Sequence, residues 1–290
     1  MIRCTPIYII LSAALLAGAI AISHTTTLPP LQPSAPAYVV VLHGLGRTSR
    51  SMNNMTAFLT SLGYDVLNIN YPSRDESIGD CTRDYVVPAI DAHCTNLAMP
   101  VNFVTHSMGG ILTRYYLAHY TNHHIGRIVM LSPPNRGSEI PDAFKNLSLF
   151  RSIMGPAALQ LTTGSNSVPN TLGPARYETG IITGDRSLNP IFSFLIPGAD
   201  DGKVSVQRAG LAGMSDFLIL HSSHTFIMND DEVQRQTAFF LLHGRFDSTN
   251  KPVVLSSITP SLHYSSTPVK ARTTGLIEIS NVSTKPGSTP

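Results

Sequence analysis

Tyr38-Val39-Val40-Val41-Leu42 is apolar at all five positions and stops at His43-Gly44. A run this short, rich in β-branched residues and apolar on both alternating faces, fits a strand covered on both sides, as in a parallel sheet. The same signal returns at 66–69, 101–104, 128–131, 177–183 and 217–220. Between these runs the apolar spacing changes to three and four residues. Met55, Phe58, Leu59 and Leu62 precede Gly63, and Ile111, Leu112, Tyr115 and His119 share one helical face. Val233, Thr237, Phe240 and Leu241 do the same within 230–242, and the segment 79–93 is expected to be helical with a kink at Pro88. Strands alternating with helices predict an α/β fold with a mostly parallel central sheet wound by crossover helices.

Charge removes several partner classes. With 20 Lys+Arg against 18 Asp+Glu and 42% hydrophobic residues, the chain can bury a large core and has no bias toward nucleic acid. Arg3 precedes an uncharged apolar run over 6–22, with small residues at Ala17-Gly18-Ala19 and Ala19-Ile20-Ala21. This pattern predicts an export signal or an N-terminal membrane anchor over 1–22, and in either case a body outside the cytoplasm, periplasmic, extracellular or membrane-anchored. A Thr- and Pro-rich linker is expected over 23–36, the folded domain over 37–246, and a Ser/Thr/Pro-rich tail over 247–290. Cys81 and Cys94 are the two cysteines of the body, 13 residues apart, and an oxidising compartment leads us to expect a disulfide between them.

The strand at 101–104 runs into Thr105-His106-Ser107-Met108-Gly109-Gly110 and then into a helix. A serine held at such a strand-to-helix turn adopts a strained backbone and projects its hydroxyl beyond the carboxyl edge of the sheet. Thr105 stands where the common G-x-S-x-G pattern has glycine, so a side chain there must fit against an adjoining element. An alcohol becomes a nucleophile only beside a base, and the base needs an orienting acid. In an open α/β sheet these groups converge from loops at the carboxyl ends of strands. His224, in Ser222-Ser223-His224, and an aspartate of Asp200-Asp201-Gly202 occupy such loops. His221 continues its strand directly and reads as structural. The negative oxygen formed on attack needs two backbone donors, for which Met108 N–H and Leu45 N–H in His43-Gly44-Leu45-Gly46 are the candidates. His119, His123 and His124 lack nearby carboxylate or thiolate, and we assign no metal and no cofactor.

Together HGLG, THSMGG, PPNRGSE, DDGKV and SSH, in this order, resemble the α/β-hydrolase superfamily, and within it the small bacterial lipases and esterases of the triacylglycerol-lipase and lipase class 2 type. The resemblance covers about 37–242. It implies a serine hydrolase acting on carboxylic esters of lipid or other apolar acyl groups, with Ser107 as nucleophile, Asp201 rather than Asp200 as acid and His224 as base. Some relatives carry a calcium-binding aspartate after the histidine; here Thr225-Phe226-Ile227 occupies that place, and no calcium is implied. The helix–strand alternation lapses over 138–175, where the fold often carries a cap, and Phe144, Leu147 and Phe150 could line an acyl-binding groove or pack a short helix. A catalytically inactive binding module, or an acyltransferase using the same three residues, is the alternative reading.

Overall fold

The computed structural model describes residues 31–120 and 122–249. The expected export segment, most of the linker and the tail beyond 249 lie outside the described residues. The strands are β1 Tyr38–Leu42, β2 Asp65–Ile69, β3 Val101–His106, β4 Ile125–Leu131, β5 Thr179–Gly184 and β6 Asp216–Leu220. They form one sheet of order β2-β1-β3-β4-β5-β6, and every pairing is parallel.

The helices, in chain order, are α1 Asn53–Ser61, α2 Ile78–Cys81, α3 Val87–His93, α4 Met108–His119, α5 Glu139–Phe144, α6 Ser148–Gln160, α7 Val168–Thr171, α8 Pro190–Leu195, α9 Val206–Ala209 and α10 Asp231–His243. The core lies on both faces of the sheet, as the apolar runs require. Tyr38, Val40 and Leu42 pack with Ile78, Ile90, Ile111 and Leu112 from α2, α3 and α4 on one side. Val39 and Val41 pack with Met55, Leu59, Val233 and Phe240 from α1 and α10 on the other. Each such side chain contributes roughly 1.5–3 kcal/mol on leaving water. Asp230 caps α10, accepting from the Glu232 and Val233 N–H groups, and Gly244, at φ 69°, ends it in the left-handed conformation.

The kink expected at Pro88 takes a definite form. Thr82–Val86 is a π-helical turn joining α2 to α3, and Pro88 sits in the first turn of α3. Proline has no N–H to return to the preceding turn, and the wider turn absorbs the break.

The Cys81–Cys94 disulfide is a correction. Both thiols are free and buried. Cys81 ends α2 and Cys94 caps α3, so one nearly continuous helical run separates their α-carbons by roughly 15–20 Å at about 1.5 Å per residue, where a bridge tolerates about 7 Å. The cysteines therefore lend no support to an oxidising address.

The lapse over 138–175 corresponds to α5, α6, with a kink at Gly155, and α7, all in the β4–β5 connection. Sequence reading missed α8, which lies between β5 and β6. Its signal was present: Asn189 caps it by accepting from the Phe192 N–H, and Pro190 starts it.

Candidate active site

The sheet order explains why distant residues meet. Leu42 pairs with Thr105, and His106 pairs with Leu131, so the ends of β1, β3 and β4 lie side by side. Beyond β3 the chain turns at Ser107, whose φ of 53° and ψ of −121° place a non-glycine residue in a sparsely populated region. Such a conformation costs on the order of 1–3 kcal/mol and persists only where the surroundings fix it. Two features do so. The Ser107 N–H donates to Leu131 O at 2.8 Å, and α4 is drawn tightly against the end of β1. A Cβ on Gly109 would fall 2.6 Å from Leu42 O and 2.8 Å from His43 O, so only glycine lets the helix start there.

Thr105 is fully buried beside the start of α4, its hydroxyl 3.4 Å from where a Cβ on Gly110 would stand, an ordinary contact distance. A Cβ at position 110 would be more crowded by Pro133, whose own Cβ would stand 3.2 Å from it.

Ser107 Oγ lies 3.0 Å from His224 Nε2, and His224 Nδ1 lies 2.9 Å from Asp201 Oδ2. A carboxylate can only accept, so Nδ1 carries the proton and Nε2 is left to accept from the serine. Asp201 Oδ1 accepts from the Lys203 N–H at 3.0 Å and the Val204 N–H at 2.9 Å. Burial by itself would raise the Asp201 carboxyl, but chiefly the His224 imidazole, with the Val204 N–H adding to it, holds it below the ordinary carboxylate range. Asp200 is occupied elsewhere, its Oδ1 accepting from the Gly202 N–H at 2.7 Å and the Ser193 hydroxyl at 2.8 Å. His221 is exposed and pairs with Asp185.

The His224 loop is anchored on every side. The His224 N–H donates to Asp201 O at 3.0 Å, and His106 Nε2–H donates to His224 O at 2.9 Å. Arg47 donates to Thr225 O at 3.1 Å. His106 is held well below the usual imidazole range, by burial first and by His224 next. It therefore stays neutral and serves as a fixed donor.

The Leu45 turn reaches the nucleophile. A Cβ on Gly44 would stand 3.1 Å from Ser107 Cβ and 2.8 Å from His106 Nδ1, which places His43-Gly44-Leu45-Gly46 against the elbow. His43 shapes this turn: its Nδ1–H donates to Gly44 O at 2.9 Å, its ring stacks 3.9 Å from that of Tyr71, and burial lowers it to about 4. Neither the Leu45 N–H nor the Met108 N–H, which opens α4, donates to a group among the described residues. Both are free to meet negative charge at Ser107, and the start of α4 adds its dipole.

Phe144 and Phe150 are half-buried and lie 5.8 Å apart, and Phe192 of α8 joins them 6.1 Å from Phe144. Leu147 points outward and is 54% exposed. Through the Ser193–Asp200 contact this cluster is tied to the loop that carries Asp201. Beside it Leu149, Ile153, Ile191 and Phe194 are also exposed, Phe194 at 90%. No group of His, Cys, Asp and Glu able to hold a metal ion occurs among the described residues.

A family model for palmitoyl protein thioesterase matches residues 38–178, from β1 to the threshold of β5. No curated protein matches the sequence. Among solved structures, the mature form of the Bacillus licheniformis lipase BlEst2 superposes with a TM-score of 0.59 at 19% identity, covering 73% of this chain and 94% of that one. The propeptide form gives 0.55 at 20% identity over 68% of this chain and 48% of that one, so the chain spans about half of that longer protein. Phospholipase PlaB from Legionella pneumophila gives 0.58 at 17% identity, over 72% of this chain and 60% of that one. The fold is that of the α/β-hydrolases, and the chain resembles bacterial lipases and esterases.

Proposed function

We propose that the chain is a serine hydrolase that cleaves carboxylic esters through an acyl-enzyme on Ser107. The observation that carries this reading is the unbroken chain of contacts from Ser107 Oγ through the His224 ring to Asp201, built on a strained strand-to-helix elbow. Ser107 Oγ attacks the ester carbonyl carbon as its proton passes to His224 Nε2. The oxyanion accepts from the Met108 and Leu45 N–H groups, the imidazolium is stabilised by Asp201, and the alcohol leaves with the proton from Nε2. Water then attacks the acyl-enzyme with the same histidine as base, and the acid departs.

Apolar acyl groups are the proposed substrates. The aromatic cluster of Phe144, Phe150 and Phe192 and the exposed apolar side chains of α6 and α8 support this. The family match over 38–178 favours a second substrate, a thioester, which the same groups would cleave with a thiolate as leaving group. The apolar run over 6–22 supports export, with the body facing away from the cytoplasm.

The test is labelling by a fluorophosphonate, followed by hydrolysis of nitrophenyl esters of increasing acyl length and of matched acyl thioesters. Wild type should label and turn over, and Ser107→Ala should do neither. Full labelling of Ser107→Ala, or none of wild type, removes the proposal. An acyltransferase would divert product to an added alcohol, and an inactive binding module would keep its biological effect as Ser107→Ala.

A further inference from the structure

Two cations beside the His224 loop are unused by the proposed chemistry. Arg47 follows the Leu45 turn, its N–H donating to Gly44 O, while its guanidinium reaches Thr225 O, one residue past the base. Lys203 follows the acid, its N–H on Asp201 Oδ1. Both are half-buried, and among the described residues neither forms an ion pair with a carboxylate. Asp201, the carboxylate adjoining Lys203, is committed to the His224 ring and two amides. The two cations also feel each other: burial, and then the charge of Arg47, hold the Lys203 ammonium below the ordinary lysine range, with Asp201 acting in the opposite direction.

Half-buried like charges without a counter-ion are costly to hold together, and such clusters gather at functional sites. Each of these two is also near enough to His106 to help depress it, after burial and His224. An anion seated beside them offsets the cost of the unpaired charges. The planar fork of arginine suits a carboxylate or a phosphate.

Resting on the ester-hydrolase reading above, we infer that Arg47 and Lys203 form a subsite for an anionic group on the substrate, a carboxylate or a phosphate diester close to the scissile ester. The chain then favours anionic esters over neutral ones of the same acyl length. The two sources, a soluble acid and a lipid headgroup, share this chemistry.

The experiment compares kcat/KM for paired substrates: nitrophenyl butyrate against the nitrophenyl half-ester of glutaric acid, and a diacylglycerol against the matching phosphatidylglycerol in neutral detergent micelles. Wild type should prefer the anionic member of at least one pair, and the pair that shows it identifies the source. That ratio should fall roughly tenfold in Arg47→Gln and in Lys203→Gln, the loss of one charge-assisted contact, and be retained in Arg47→Lys. Raising salt from about 0.05 M to about 0.5 M should lower turnover of the anionic member alone. Fluorophosphonate labelling of each variant checks that its elbow is assembled. A wild-type ratio at or below one in both pairs, a ratio unmoved in both Gln variants, or equal salt effects on both members overturns the subsite. Failure of wild type to label at all instead defeats the hydrolase reading on which it rests.

Discussion

Asp201→Asn tests the site through a single proton. In the wild-type structure Asp201 Oδ1 accepts from two backbone N–H groups, at 3.0 and 2.9 Å, and Oδ2 accepts from His224 Nδ1–H at 2.9 Å. An asparagine keeps the shape but has one oxygen. Two fixed donors at the Oδ1 position demand that oxygen there, so the amide NH2 must face the imidazole. His224 Nδ1 then accepts instead of donating, the ring proton moves to Nε2, and Nε2 can no longer take the proton of Ser107 Oγ 3.0 Å away. A tautomer trap of this kind lowers turnover by roughly 10⁴, about 5 kcal/mol of transition-state stabilisation. Weakening the two amide contacts costs about 1–3 kcal/mol of stability, so circular dichroism should show a folded variant. The assay is kcat/KM on a nitrophenyl ester, with the rate of fluorophosphonate labelling in parallel. Asp200→Asn is the control, since Asp200 touches Gly202 and Ser193 and not the ring, and it should stay within a few-fold of wild type. A folded Asp201→Asn retaining more than about a tenth of wild-type activity, or a large loss in Asp200→Asn instead, refutes the tautomer argument.

Gly109→Ala should destabilise the protein by about 1–3 kcal/mol in urea unfolding and lower turnover, because a Cβ there meets two backbone carbonyls that cannot move aside. Acid should weaken the fold through His43. Its imidazole titrates near 6.5 unfolded and at about 4 folded, so the unfolded chain binds the extra proton and stability falls as the pH drops from 6.5 through 4, by about 3 kcal/mol. His43→Asn should flatten the urea-midpoint profile over that range, and an equally steep profile argues against the assignment. Phe144→Ala should lower kcat/KM more for long-chain than for short-chain nitrophenyl esters, and a uniform loss would remove Phe144 from acyl recognition.

Much of this architecture is legible in the sequence. The run Tyr38–Leu42 announces a strand buried on both faces, and the spacing of Val233, Thr237, Phe240 and Leu241 announces the inward face of α10, because each pattern is local and repeats with the period of its element. Ser107 was marked by the same local logic, a strand passing through a serine into glycines and a helix. Thr105 was a departure whose neighbours, the start of α4 among them, are set only when the chain closes. The disulfide expectation failed for a related reason: 13 residues of sequence separation says nothing of distance until the intervening backbone is known to be helical. The meeting of Arg47 with Thr225, of His106 with the His224 carbonyl and of Phe144 with Phe192 was equally invisible. Local periodicity fixes which segments become strands and helices because each residue's surroundings recur every two or 3.6 positions. Which side chains face one another across 117 positions, as Ser107 and His224 do, depends on how parallel strands are ordered in the sheet, and only the closed tertiary structure decides that.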